Sequence, residues 1–501
     1  MTSKAGRRAP SRISVPTRAD PLLSRLAEVL GGPMGRHTAP GLVAPGFFTV
    51  QRVLLLLTTL AALAAIAVKT PCRTGGWTTP EQFYRACYSD WPELFRSRNL
   101  GAGNFPFLSL DAPFEYPVLL GVIAGVTALL VAPGEETGLG SGARTLQYFD
   151  INAVLIAGVW ILTVLATMRL ANRRPWDAAM VAVAPVIIVS GTINWDLWAV
   201  LLSILGMLAF ARSRPVAAGI LLGLGTAVKL YPVLILGAII LLALRSGRFR
   251  PAIVTGGALA ATWLAVNLPF LLRDYSAWAY FLQFSGMREP GFSSPWYLYN
   301  AFAERGGFAP LTPGFVNAAS AGLFLLACLG IAVLALAAPR RPRLAQLALL
   351  IVGSFILLNK VYSPQYALWL VPLVALAYPR WRTFALWQLA EVMHWWAVWM
   401  YLALQTSGGS IYTNIDLPYY ALAVAAHIIL TAYILLRVVL EVLDPRTDPV
   451  RRAGIDDPGG GPFDQSPDRF TLRGRWAGRP VGSDSPRVGL GSPGSPVKES
   501  M

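Results

Sequence analysis

Charged residues make up only 14% of this 501-residue chain, and side chains that carry chemistry are scarcer still: three His, three Cys and five Lys. Three cysteines are too few for a disulfide-stapled scaffold. No phosphate-cradling glycine loop, dinucleotide fingerprint or HExxH occurs, and no Cys/His set has metal-ligand spacing, so no metal or cofactor is expected. No internal repeat is evident, which argues against the two-halved architecture common in secondary transporters. No cleavable leader is read either, because the first apolar run follows a long basic tail and lacks a small-residue cleavage site.

What the chain has in quantity is apolar surface. It is 55% hydrophobic with mean hydropathy +0.52, and apolar runs recur at about 51–68, 116–132, 149–168, 178–193, 197–211, 215–229, 231–244, 251–268, 314–338, 344–359, 364–378, 384–404 and 417–436. At ~1.5 Å rise per residue, such runs match a hydrocarbon core of ~30 Å. The fold class is an all-α polytopic membrane protein with about 11–13 transmembrane helices. Thirteen runs conflict with two termini on one side, so one run does not cross. The shortest, beside Asn194-Trp195-Asp196 and Lys229 to Pro232, are the weakest candidates, since a broken helix is tolerated there if protein surrounds it.

The net charge of +16 is placed by topology. Arginines fill the short gaps between runs (Arg173 and Arg174, Arg212 and Arg214, Arg245 and Arg248, Arg340 to Arg343, Arg380 and Arg382), which marks the cytoplasmic side and gives no reason to invoke nucleic acid. Both termini then lie inside. The expected organisation is a basic disordered tail at 1–48 with a short helix at Pro21–Leu30, a membrane domain at 49–440, and a disordered cytoplasmic tail at 441–501 rich in Pro, Gly and Ser. The long polar gaps at 69–115 and 269–313 share the extracytoplasmic face. Cys72 and Cys87 both lie in the first loop, and oxidation there would join them in a disulfide.

Within the first loop, Cys87-Tyr-Ser-Asp-Trp-Pro-Glu-Leu-Phe95 places Asp90 among aromatic residues at the membrane surface. Two compatible readings stand: Asp90 is a general base, or it is the N-cap of the helix that Trp91-Pro92-Glu93 would start. Two of the five lysines, Lys229 and Lys360, share the context Lys-x-Tyr followed by Pro at the loop-side ends of apolar runs. There a compact ammonium either meets a lipid phosphate, with Arg288 as a third cation, or snorkels to headgroups. Glu115, Tyr116, Asp196, Tyr362, Gln365, Glu391 and His394 are candidates for sugar or acceptor contacts; Glu391 and His394 lie on one helical face and are equally open to a structural role.

The segments CYSDWPELF, FEYPVLLG, INWDLWAV, GTAVKLYPVL and NKVYSPQYALWLVPL, in that order, resemble GT-C membrane glycosyltransferases of family 87, which use polyprenyl-phosphate-mannose. The resemblance covers about residues 50–440. It implies a GT-C-like bundle with a large first extracytoplasmic loop. It also implies inverting transfer of a sugar, most expectedly mannose, from a polyprenyl-phosphate donor to a glycan or glycolipid acceptor hydroxyl at the outer face of the cell membrane, as in cell-envelope glycolipid biosynthesis. The catalytic carboxylate of such families matches Asp90; the second acid that many relatives carry beside it is absent here, so no metal is implied. A transporter or flippase of a lipid-linked sugar, using the same lysines, is the alternative from another class.

Overall fold

The computed structural model describes residues 13–15, 19–31, 48–108, 113–133, 139–464 and 466–472. Among them there are helices and no strands. Five helices are long and apolar enough to span a bilayer: Val50–Val68, Gly142–Leu170, Phe249–Arg273, Pro313–Ala337 and Leu417–Leu443. Shorter apolar helices, among them Val118–Leu129, Asp196–Ala211, Pro215–Val228, Val233–Ser246 and Leu344–Leu358, fill the interior with Trp381–Ser407. The protein is an all-α polytopic membrane protein.

Contacts sort the inter-helix segments into two ends. At one end Asp90 meets Asn194, Lys229 meets Tyr116, Gly291 bonds Lys360, and Arg305 bonds Asp416. At the other, Arg174 reaches Pro449, Arg343 the carbonyls of Leu376 and Ala377, and Arg380 reaches Glu441. The loops 69–115 and 269–313 are at the first end and the arginine-rich turns at the second, as the sequence implies.

The run that fails to cross is not one of the two suspected. Residues 178–193 are broken into Ala179–Ala182 and Pro185–Ser190, yet they lead from Arg174 at the basic end to Asn194 at the loop end. Their burial among other helices supplies the partners that a broken helix lacks. Val118–Leu129 instead starts beside Tyr116 and ends where Ala132 bonds Gln147 and Arg144, whose guanidinium also donates to the Gly101 carbonyl of the first loop. Both its ends are at the loop end. At 12 residues it spans only ~18 Å. Removing it leaves the even number of passes that termini on one side require.

Both tail expectations need correction for the described residues. In the N-terminal tail the expected helix forms at Pro21–Gly31, but it is docked: Asp20 accepts from Leu22 N and Leu23 N and, across the structure, from Trp381 N. At the other terminus, Leu417–Leu443 is followed by an ordered strap, 444–464 and 466–472, that runs over the basic turns. Asp448 is 1% exposed and pairs with Arg343, itself 1% exposed; Asp468 pairs with Arg245; and Phe463 is buried against Phe210. Composition suggested disorder because the strap cannot form a core of its own. It supplies instead the carboxylates that the buried arginines need. The remaining tail residues lie outside those described.

Candidate active site at the loop end

The first loop begins as a closed ring. Lys69 ends the first span, Cys72 and Cys87 are joined by a disulfide as the shared loop implies, and Trp77 Nε1 donates to the Cys87 carbonyl. The ring delivers the chain to a short helix, Asp90–Ser97. Ser89, not Asp90, is its N-cap: the Ser89 Oγ accepts from Trp91 N and donates to the Thr192 carbonyl. Asp90 is therefore free of the capping task. Its backbone N–H donates to the Ile193 carbonyl at 2.8 Å, and its Oδ2 accepts from Asn194 Nδ2 at 2.6 Å and from Tyr116 Oη at 3.3 Å.

Burial pushes the Asp90 carboxyl above its ordinary value, while hydrogen bonds from Tyr88 and Asn194 and the charge of Lys229 pull the other way. A raised carboxylate pKa makes a stronger base.

Asp90 lines a cavity of about 430 Å³ with Tyr88, Glu115, Tyr116, Lys229 and Arg288. Further round the wall are Tyr362, Gln365, and the aromatic group of Phe83, Tyr88 and Trp399, with Tyr88 and Trp399 ring centroids 4.7 Å apart. The volume matches a small-molecule site of roughly 300–1,000 Å³.

The predicted residues sort into three sets around it. Asp90, Glu115, Tyr116, Lys229, Arg288, Tyr362 and Gln365 line the cavity. Glu115 is held by both arms of Arg98 at 2.9 Å, so its oxygens are committed. Asp196, fully buried, stands behind the wall, accepting from Trp369 Nε1 at 2.8 Å and facing Lys229 Nζ at 3.5 Å. Lys229 also sits 4.7 Å from the Tyr116 ring centroid, so Asp196 and Tyr116 fix an ammonium at the cavity edge. A snorkelling lysine would not be only 7% exposed.

Lys360, Glu391 and His394 are not in the cavity wall. Lys360 Nζ donates to the carbonyls of Gly286 and Arg288, so it anchors the segment that carries Arg288. Glu391 accepts from Tyr362 Oη at 2.8 Å, from Trp387 Nε1 and from Thr431 Oγ1, and supports Tyr362 from below. His394 lies against Tyr362 and against His427, a residue the sequence reading passed over. Arg98 and Lys69 were passed over too. Lys69 had a signal: it is one of only five lysines and stands at a span end, as Lys229 and Lys360 do.

Residues 114–359 match the model of glycosyltransferase family 87. Over these residues the chain is similar to glycosyltransferase family 87. The matched stretch includes Glu115, Tyr116, Asp196, Lys229 and Arg288, and stops short of Asp90 on one side and Lys360 on the other. No curated protein matches this chain. Among solved structures it is similar to ArnT from Cupriavidus metallidurans bound to undecaprenyl phosphate, with TM-score 0.41 and 13% identity over 78% of each chain.

Proposed function

We propose that this glycosyltransferase moves a sugar, mannose by the family resemblance, from a polyprenyl phosphate to a hydroxyl of a glycan or glycolipid acceptor. The observation that carries this reading is one buried carboxylate, Asp90, sharing a cavity of about 430 Å³ with the cations Lys229 and Arg288. A hydroxyl is a poor nucleophile near neutral pH and needs a base; a departing lipid phosphate needs positive charge. Asp90 takes the acceptor proton, and Lys229 and Arg288 receive the phosphate. Arg288 makes no ion pair among the described residues, which leaves its guanidinium for a ligand. Lys360 serves by holding the Arg288 backbone. The step is assigned no metal and no cofactor beyond the lipid-linked donor.

The loop end is read as extracytoplasmic and the basic end, with both termini, as cytoplasmic, following the arginine distribution and the disulfide in the first loop. With purified protein in liposomes and radiolabelled polyprenyl-phosphate sugar, label is expected to leave the donor and appear on the acceptor. Donor recovered intact on the opposite leaflet would identify a flippase instead. In the same assay Lys229→Met is expected to weaken donor use by about 10- to 100-fold, the worth of one charge-assisted contact. An unchanged donor KM in Lys229→Met would remove the phosphate from that side of the cavity.

A further inference from the structure

Lys69 is fully buried, and its Nζ donates to the Tyr88 carbonyl at 2.7 Å. Among the described residues no carboxylate comes within 4.0 Å of it. As a rung of the loop this is an expensive choice. The ring is already closed by the Cys72–Cys87 disulfide and by bonds from Trp77 Nε1 to the Cys87 carbonyl and from Cys87 N to the Gln82 carbonyl. A neutral donor would satisfy the Tyr88 carbonyl without taking an ammonium out of water. The position of the charge therefore asks for a reason, and Asp90, two residues beyond Tyr88, is the group whose charge acts on it.

Resting on the assignment of Asp90 as the base, we propose that Lys69 is its positioning residue: its ammonium pins the Tyr88–Ser89–Asp90 turn from behind the cavity wall and adds a second positive charge to that of Lys229 as the carboxylate enters the interior. Lys69 does not line the cavity and so touches neither donor nor acceptor. Lys229 is the other cation acting on Asp90, from the cavity side, and it is paired with Asp196 as well. The other charged or titratable groups around Asp90 include Asp196, Tyr88, Tyr116, Tyr366, Glu93 and Glu115, the last held by Arg98; beyond Lys69, Arg73 is occupied by Asp150. Burial depresses the Lys69 ammonium to about 7, and Asp90 opposes that shift. The charge is accordingly present below that pH and lost above it, whereas Asp90 must be ionised to act. Activity dependent on both groups has an acid limb from Asp90 and an alkaline limb from Lys69.

Transfer is measured against pH for wild type, Lys69→Arg, Lys69→Gln and Lys69→Met, with Asp90→Asn alongside. Each variant is first checked for folding by thermal unfolding and by the absence of free thiols at Cys72 and Cys87. Lys69→Arg is expected to retain transfer within about threefold and to lose the alkaline limb, because a guanidinium does not discharge. Lys69→Gln and Lys69→Met are expected to fall at least about tenfold, with the acid limb moved to higher pH as the carboxylate loses a cation. A folded Lys69→Gln with the wild-type rate and profile would overturn the proposal and leave Lys69 a structural rung. So would a Lys69→Arg variant as impaired as Lys69→Met. An active Asp90→Asn would instead remove the base assignment itself, a failure separable from either.

Discussion

Asp90→Asn is expected to lower sugar transfer by about 10²–10⁴-fold while the protein remains folded and binds its donor. The substitution is unusually clean here. Ser89 caps the helix, so the helix start does not depend on the Asp90 side chain. Asn keeps an oxygen for the hydrogen bonds from Asn194 Nδ2 and Tyr116 Oη, while it removes the charge and the basicity and puts an NH2 donor in place of the other oxygen. Donor affinity, which the proposed function assigns to Lys229 and Arg288, should change far less than turnover. The check is kcat beside donor binding, with thermal unfolding as control. Transfer above about a tenth of wild type would end the assignment, since general-base catalysis contributes at least about a hundredfold.

The second large effect lies at the opposite end. Asp448→Ala is expected to destabilise the protein by about 3–5 kcal/mol, because it strands Arg343 in a site where both partners are 1% exposed. Arg343 is also the cap of the helix ending at Ala377, donating to the Leu376 and Ala377 carbonyls, and Gln346 Nε2 reaches Asp448 as well. Removing both charges with Arg343→Met and Asp448→Leu should recover much of the loss, since the damage comes from the uncompensated cation. Thermal unfolding in detergent reads both. Equal stability of Asp448→Ala and wild type would show that the strap is not held by this pair.

How much of this was legible in the sequence differs by scale. Helical class, the two ends of the bundle and the two large loops follow from apolar length and arginine placement, both properties of short windows. The disulfide followed from two cysteines sharing one loop. Val118–Leu129 was misread because hydropathy reports what surrounds a helix and not which way it runs; only the return of Ala132 to Gln147 and Arg144 shows that it stays at the loop end. The strap was misread for a related reason. Asp448 and Asp457 make local bonds to Val450 N and Gly459 N, but the partners that hold them and Phe463 in the interior are arginine turns and helix ends over a hundred residues away.

In the site, Asp90 and Lys229 were readable from local motifs because each sits at an element end with a distinctive neighbourhood. Asp196 was read as a contact residue, and its actual place behind Lys229 depends on the packing of Trp369 against it. Glu391 was open to a sugar contact or a structural role, and it is the acceptor for Tyr362 Oη. Motifs identify polar residues that matter inside an apolar bundle; they do not say which of them face the cavity.

The account rests on one free carboxylate acting as a base in a direct displacement, since Glu115, the other acid of the cavity wall, is committed to Arg98. The most direct measurement is the anomeric configuration of the product by NMR, using a polyprenyl-phosphate sugar of known anomer. Single displacement predicts inversion. Retention, or a sugar trapped covalently on Asp90, would contradict it.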